Sequence, residues 1–283
     1  CGLATRAYVR STDWVDPRTF YERTMAAGKS SSRVAVNLGI VYENSGELQR
    51  AETVFRRVLQ LTPDYPIART NLAQVLYREG KRDEAEALLA QARAAAPEAK
   101  NEYPRTWVAA LNLARIRHNE HDDDTALKIL NQARADYPQI WQVIRFESEV
   151  LRTTIGPQPA LRLVADYVRK NWWHHGATVA LGQLLAEKGD VEAAVEQLRF
   201  ASWLDVHDAE ALHLIAAMRL RQNRFAEARV AQEKAVARRP DEPSQYTSLA
   251  EILLKMGCDA EAREVLVKVA RLEAVGRAEI AAN

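Results

Sequence analysis

Seven alanines recur along this chain at an almost constant interval, and this period limits the possible folds more than any other feature. They stand 34 residues apart, with one interval of 41, and are Ala51, Ala85, Ala126, Ala160, Ala194, Ala228 and Ala262. A second small residue precedes each alanine by twelve positions: Gly39, Ala73, Ala114, Ser148, Gly182, Ala216 and Ala250. A fixed period of this length is typical of repeat arrays, and paired small residues let two helices cross closely. The chain is therefore predicted to stack copies of one helical unit.

Composition and charge exclude several other classes of protein. Of the 283 residues 47% are hydrophobic, and 39 basic and 38 acidic residues leave a formal net charge of +1. This balance provides no global field for nucleic acid or an anionic membrane, and no apolar run is long enough to cross a bilayer. With only Cys1 and Cys258, a disulfide framework is excluded. An amino-terminal cysteine fits a fragment boundary or a processed, lipid-modified terminus, and we expect the former.

The first unit shows how each repeat is built. Residues 33–44 carry apolar side chains at helical spacing, and Gly46 then breaks the helix. A second helical pattern covers residues 48–59, and Pro63 ends it because proline cannot continue a helix. The next unit repeats this order. Each unit is therefore predicted to be a helix–turn–helix hairpin.

This order resembles the tetratricopeptide repeat (TPR), a helical hairpin of the same length. The first unit matches its signature at Leu38, Gly39, Tyr42, Gly46, Ala51, Phe55 and Pro63. Seven units fit one register: 32–65, 66–99, 107–140, 141–174, 175–208, 209–242 and 243–276. The resemblance implies an all-α, right-handed superhelix whose first helices line a concave groove. It leaves the ligand open, because repeats of this kind hold many partners.

Several segments depart from the register. Residues 100–106 form an insertion, and Gly156-Pro157-Gln158-Pro159 replace the turn of the fourth unit. Residues 1–31 are predicted to hold one capping helix, at about 17–28, in which Tyr21 takes the register position of Phe55 and Leu89.

The last predicted helix covers residues 259–274, and residues 277–283 are expected to form a short tail. Its apolar stripe indicates a homodimer through the last repeat or contact with another domain, and the alternative is a tolerated exposure. The stripe consists of Val265, Leu266, Val269 and Leu272.

The amino-terminal segment carries a second resemblance. Arg10-Ser11-Thr12-Asp13-Trp14-Val15-Asp16, with Asn37-Leu38-Gly39 after the first helix, is similar to a junction in transmembrane-and-TPR O-mannosyltransferase-like proteins. That resemblance implies an extracytoplasmic region that is tethered to a bacterial membrane by an upstream part and does not itself insert. In the alternative, Trp14 simply plugs the open end of the first repeat.

Nine polar residues of the first helices are predicted to line the groove. Position six holds Asn37, Asn71 and Asn112 in the first three units, and stacked amides can hold a peptide main chain without reading its side chains. A similar ladder occurs in O-linked N-acetylglucosamine transferases. In the alternative, asparagine is merely well tolerated beside the Leu-Gly pair. The other six residues are Arg33, Gln74, Arg115, Arg145, Glu149 and Arg152.

Three of these side chains, Arg115, Arg145 and Arg152, are predicted to hold an acidic side chain or a peptide carboxyl terminus. In the alternative, Glu149 pairs with one of them and the cluster is a solvated surface. The set does not reproduce the carboxylate clamp of chaperone-binding repeats. In the last three units the inner positions indicate an apolar surface for a partner helix: Val179, Ala180, His213, Leu214 and Leu220.

Two histidine-containing segments invite a metal interpretation. His118 and His121 precede Asp122-Asp123-Asp124, but a polar inter-helix turn explains them better, because a metal site needs converging ligands. Trp172-Trp173-His174-His175 is expected to form a packed corner between the fourth and fifth units.

The sequence holds no phosphate loop, nucleophile elbow or HExxH motif. It therefore predicts a non-catalytic scaffold without cofactor or metal, which binds an extended peptide or a helix in its groove. The alternative is an accessory region that presents acceptor proteins to a polytopic membrane glycosyltransferase. Nucleic-acid binding is disfavoured by the balanced charge.

Overall fold

The computed structural model describes residues 16–26, 31–94 and 106–282, where all regular elements are α-helices. A short helix, α1 (Pro17–Ala26), precedes seven consecutive pairs. The pairs are α2 (Ser32–Asn44) and α3 (Leu48–Leu61), α4 (Pro66–Arg78) and α5 (Arg82–Arg93), α6 (Trp107–Asn119) and α7 (Asp123–Asp136), α8 (Trp141–Thr154) and α9 (Pro157–Lys170), α10 (His175–Lys188) and α11 (Val191–Leu204), α12 (Glu210–Arg221) and α13 (Phe225–Arg238), α14 (Pro243–Lys255) and α15 (Asp259–Ala282). The predicted all-α array of helical hairpins is confirmed. Residues 100–105 of the predicted insertion lie outside the described residues.

Above the level of the single repeats, the chain divides into two larger compact units, which are called the first and the second unit from here on. They are Cys1–Phe146 and Glu147–Asn283, and the division falls inside α8. Each unit has its own buried side chains. In the first, Phe55, Leu76 and Leu130 are fully buried, and in the second Leu198 and Ile252 are buried to the same degree. Both units therefore have the continuous apolar interior that stacked hairpins require.

The small residues that set the period lie where paired helices meet. All seven recurrent alanines are 0–1% exposed. A Cβ atom built on Gly39 would stand 2.5 Å from Cε1 of Phe55, and one on Gly182 would stand 2.7 Å from Cγ of Leu198. Such distances are too short for real contacts, so a larger residue at either position would force Phe55 or Leu198 to shift. The close helix crossing predicted from the sequence is confirmed.

The turn within each hairpin needs one residue with left-handed backbone geometry. Glycine supplies it in four repeats, for example Gly80 with φ 82° and Gly189 with φ 94°. His121 (φ 62°) and Asn223 (φ 59°) take the same position in the third and sixth repeats, although a side chain disfavours this geometry. In the fourth repeat Gly156, with φ 120°, moves to the N-cap of α9.

The carboxy-terminal end of the array differs from the prediction. The described part of the capping helix ends at Ala26, and residues 27 and 28 lie outside the described residues. The prediction ends the last helix at residue 274 and leaves a tail, whereas α15 continues to Ala282. The continuation is rich in alanine and contains no proline, so nothing in it stops the helix.

Candidate functional site

The asparagines at position six of the first three repeats differ in their contacts. Nδ2 of Asn37 donates to the hydroxyl of Tyr21 at 3.3 Å, so α1 already occupies the first amide. Asn71 and Asn112 are half-buried, and their Nδ2 atoms are sealed from solvent without an acceptor among the described residues. A buried donor without a partner costs on the order of 1–3 kcal/mol. Two of the three predicted amides therefore retain unused hydrogen-bonding capacity.

A charged network holds α1 against the first hairpin. Arg18 contacts Glu47 at 2.6 Å and Glu22 at 3.0 Å, and the hydroxyl of Tyr42 donates to Glu22 at 2.9 Å. The hydrogen bond from Tyr42, together with Arg18, lowers the pKa of the Glu22 carboxyl below its ordinary value. These contacts hold α1 in place, and α1 carries the Tyr21 hydroxyl that accepts the hydrogen bond from Asn37.

A pocket of about 170 Å³ opens between α4 and α6. Three predicted site residues line it together: Gln74, Asn112 and Arg115. The rest of its wall, which the sequence analysis does not single out, consists of Ala73, Tyr77, Arg78, Leu89, Ile116 and Asn119. The pocket thus combines an apolar floor with amide and guanidinium groups at its sides, the usual composition of a ligand site.

Arginine side chains make this pocket cationic. The guanidinium of Arg115 lies over the ring of Phe146, 5.6 Å from its centroid, and no carboxylate pairs with it among the described residues. Arg78 donates to the main-chain oxygen of Glu43 at 3.2 Å, and its Nη1 lies 3.6 Å from Oε1 of Glu43. Burial raises the pKa of the Glu43 carboxyl, and Arg78 offsets part of this rise. Arg115 is therefore the cation that can meet an acidic ligand group here.

The other predicted groove residues do not line this pocket. Arg33 and Arg145 are exposed on α2 and α8. In the second unit Nη1 of Arg152 lies 3.5 Å from Oε1 of Glu187, so Glu187 balances its charge, while Glu149 is exposed. The three-arginine cluster stays a prediction.

The apolar inner surface predicted for the last repeats is wrong at two positions. Val179 is buried in the core of the second unit, where Leu214 and Leu220 pack against the same cluster. Nδ1 of His213 lies 3.1 Å from Oε1 of Gln232, so the imidazole turns towards the second helix of its own hairpin. These apolar side chains are covered because their burial in the core between hairpins removes apolar area from water.

A buried amide network, which the sequence analysis missed, completes this part of the core. Gln232 is fully buried on α13, and its Nε2 donates to the main-chain oxygen of Gln245 at 2.8 Å. The network satisfies the buried amide of Gln232 within the core.

The histidine-rich segments serve local structure. Nδ1 of His118 contacts Oδ1 of Asp123, and His121 adopts the left-handed turn position. His174 accepts from the N–H of Ala177 at 3.2 Å and so caps α10. No group of three potential metal ligands occurs in the described part of the chain.

The packed corner expected at Trp172 and Trp173 is wrong, because these side chains are 54% and 59% exposed. The ring of Trp172 lies beside Trp173 and Phe200 without being covered, while the two histidines that follow make the local polar contacts. His175 contacts Asp208 at 3.1 Å.

Helical geometry could have identified the missed pocket residues. Asn112, Arg115, Ile116 and Asn119 follow the spacing i, i+3, i+4 and i+7, which places them on one face of α6. Fixed repeat positions indicate Asn112 and Arg115 but not Ile116 and Asn119, which share the same helical face.

The seven hairpins and their recurrent small residues define a helical repeat protein. Tetratricopeptide repeat family models match residues 42–104 and 179–243, within the first and the second unit. The chain is a tetratricopeptide repeat protein. Within the described residues, no helix combines the length and apolarity needed to cross a bilayer.

Solved structures of low sequence identity share the fold. A tetratricopeptide repeat protein from Parabacteroides merdae is 15% identical, with a TM-score of 0.54 over 87% of this chain and 93% of that one. The Cut9–Hcn1 hetero-tetramer of the APC/C matches at 16% identity and TM-score 0.53, over 83% of this chain and 45% of that one. MamA of Desulfovibrio magneticus RS-1 matches at 18% identity and TM-score 0.50, over 60% and 96%. At such identities the likeness shows the fold alone. No curated protein sequence matches the chain.

Proposed function

We propose that this protein-interaction scaffold captures an extended polypeptide along α4 and α6. The observation that carries the proposal is the pocket that Gln74, Asn112 and Arg115 share. A ligand side chain would enter the pocket, and its main chain would run past the two position-six amides. The mechanism is non-catalytic, because the site offers binding groups without a nucleophile and base in contact.

The amides supply the main-chain contacts in this proposal. Rotation about χ2 turns the Nδ2 donors of Asn71 and Asn112 towards a ligand carbonyl. Each donor then exchanges a buried, unpaired state for a hydrogen bond, and such bonds contribute about 0.5–1.5 kcal/mol each. Because an amide contacts only the ligand main chain, this part of the site tolerates many sequences.

Arg115 supplies selectivity for charge. Its guanidinium has a fork of donors that fits a carboxylate, and the ring of Phe146 fixes its position. The scaffold should therefore prefer a segment with an aspartate, a glutamate or a terminal carboxylate next to the side chain in the pocket.

The test uses a linear peptide that is selected from a random library against the wild-type protein. We expect the Asn71→Ala/Asn112→Ala variant to bind it about tenfold more weakly or worse, as measured by fluorescence anisotropy. Ser248→Ala is the matched control, because Ser248 holds position six of the last repeat and its hydroxyl bonds to Ser244 within the helix. Unchanged affinity in the double variant would remove the amides from the mechanism. Arg115→Glu should lower the affinity for acidic peptides and leave the affinity for other peptides unchanged.

The same groove supports the alternative in which the captured polypeptide is the acceptor of a membrane glycosyltransferase. The two position-six amides favour it, since acceptor presentation needs a contact that tolerates many sequences. Residues 10–15 of the junction-like segment lie outside the described residues. Joining the chain to its upstream sequence and measuring glycosylation of the selected peptide distinguishes this role from simple scaffolding.

A homodimer through the last repeat also remains a proposal. Leu266, Val267 and Val275 are exposed on α15, whereas Val269 of the predicted stripe is buried. A second copy would cover these side chains, and Val267→Glu/Val275→Glu should then yield a monomer in sedimentation velocity. A wild-type protein that sediments as a monomer would exclude this dimer.

A further inference from the structure

An aromatic surface of the second unit lies outside the inner helices. Trp172, Trp173 and Trp203 are 54%, 59% and 67% exposed, which is unusual for the largest apolar side chain. Phe200 joins them, because its ring stacks on Trp203 at 5.8 Å and lies 6.5 Å from Trp172. We call these four residues the tryptophan surface. Exposed apolar groups that cluster in this way mark an interaction site.

The repeat register does not require these tryptophans. Trp172 takes the position that proline holds in four other repeats, at Pro63, Pro97, Pro138 and Pro240. Trp203 takes the position that other repeats fill with polar, charged or small residues: Gln60, Ala94, Ala135, Arg169, Ala237 and Arg271. Hairpins of the same fold thus form with small or polar residues there, so packing does not explain the tryptophans.

Basic groups surround the tryptophan surface. Lys170 and Arg199 are exposed one helical turn or less from Trp172 and Trp203 in the chain. Two further arginines reach the last turn of α11 and the loop after it: Arg238 donates to the main-chain oxygen of Ser202 at 2.9 Å, and Arg239 to that of His207 at 3.4 Å.

The neighbouring acidic groups are engaged locally. Asp205 accepts the N–H of His207 at 2.9 Å, Asp208 contacts His175 at 3.1 Å, and Asp166 contacts Arg169 at 3.0 Å. Glu196 lies two turns further along α11. Because hydrogen bonds leave the formal charge of a carboxylate in place, the five basic side chains named here, Arg169 included, exceed the four carboxylates by one positive charge.

We propose that the tryptophan surface adsorbs to the interface of an anionic lipid membrane. Indole rings prefer the boundary between headgroups and acyl chains, because they join an apolar body to one N–H donor. Lysine and arginine near such a surface are attracted to anionic lipids by about 1 kcal/mol each. Adsorption needs no spanning helix, and it uses residues that are separate from the peptide groove.

The experiment uses vesicles of phosphatidylcholine alone and vesicles that also contain phosphatidylserine. We expect wild-type protein to float with the mixed vesicles only, with a blue shift of tryptophan emission and a loss of binding at high salt. Trp172→Ser/Trp203→Ser should lower the partition coefficient on the order of tenfold or more. Lys170→Glu/Arg199→Glu should lower it to a similar extent.

Two control variants distinguish adsorption through the tryptophan surface from non-specific apolar adsorption and from binding through the peptide groove. Val230→Ser/Leu254→Ser removes two apolar side chains of similar exposure elsewhere in the second unit, and it should bind vesicles as wild type does. Asn71→Ala/Asn112→Ala should also bind normally. Wild-type protein that ignores mixed vesicles, binds both vesicle types equally, or binds unchanged after loss of the two tryptophans would overturn the proposal.

Discussion

The two units pack their helices by the same rule and differ in what they place at position six. Small residues mark the helix crossings in both, for example Gly39 in the first unit and Gly182 in the second. Position six holds asparagine throughout the first three repeats, but Ala180, Leu214 and Ser248 in the last three. Since the hairpin forms with any of these side chains, the fold does not demand the amides. The difference supports the proposal that Asn71 and Asn112 bind a ligand.

The two units also treat a carboxylate beside an arginine in opposite ways. In the first, Glu43 is the buried partner, and burial raises its pKa. In the second, Arg219 is buried and Glu192 is exposed, with contacts of 2.6 and 2.8 Å, and the hydrogen bond from Arg219 lowers the pKa of Glu192 to about 2. The buried partner thus decides the direction of the shift.

The largest expected effect tests whether the packing rule is common to both units. Ala85→Leu in the first unit and Ala194→Leu in the second should each lower the free energy of unfolding by about 1–3 kcal/mol or more, because both alanines are 0% exposed. Ala90→Leu, on the exposed side of α5, is the control and should change little. Chemical denaturation measures all three. A leucine at either buried position that leaves stability unchanged would break the common register.

A smaller effect should distinguish the amides from structural residues. Asn71→Ala/Asn112→Ala should leave the free energy of unfolding unchanged or raise it by up to about 1 kcal/mol, because two unpaired buried donors are removed. The same variant loses peptide affinity, so stability and binding change in opposite directions. Thermal unfolding measures the first quantity, and a clear loss of stability would indicate that the amides support the fold instead.

The turns offer one comparison in each unit. His121→Gly and Asn223→Gly should stabilise their hairpins, by about 1 kcal/mol for histidine and less for asparagine, which tolerates left-handed geometry better. Gly80→Ala and Gly189→Ala are the reverse controls and should destabilise. If all four variants had the free energy of unfolding of the wild type, these turns would carry no backbone strain.

The smallest effect concerns pH. The lowered pKa of Glu192 adds stability above its unfolded value near 4.5, and this is lost as pH falls towards about 2. The raised pKa of Glu43 has the opposite sign, since its contribution is greatest at low pH and is lost as pH rises through the folded value. Glu192→Gln should therefore be less stable than wild type at neutral pH, and Glu43→Gln more stable. Urea titrations at several pH values test both signs, and solvent screening keeps the Glu192 effect small.

The fold is well predicted from the sequence because the residues that determine helix packing recur in every repeat. The alanine period, the small partner residues and the glycine turns each recur, so one register explains them all. The end of α15 escapes this reasoning, because no later unit sets a boundary there. The residues of the helix past 274 follow helix propensity rather than the repeat.

The site is less predictable, because side-chain contacts cross between repeats. Gln74, Asn112 and Arg115 line one pocket, but Asn37 is bonded to Tyr21, a pairing that depends on where α1 docks. The predicted apolar surface at Val179 and the predicted packed corner at Trp172 are wrong for one reason. Repeat position gives the direction of a side chain and not what covers it.

The most direct test of peptide capture follows side-chain amide NMR resonances while the selected peptide is added. We expect the amide resonances of Asn71, Asn112 and Gln74 to shift and to reach saturation at one common peptide concentration. The buried amides of Gln232 and Gln245 in the second unit should stay unchanged. Shifts confined to the second unit, with Asn71 and Asn112 unmoved at saturation, would contradict this expectation.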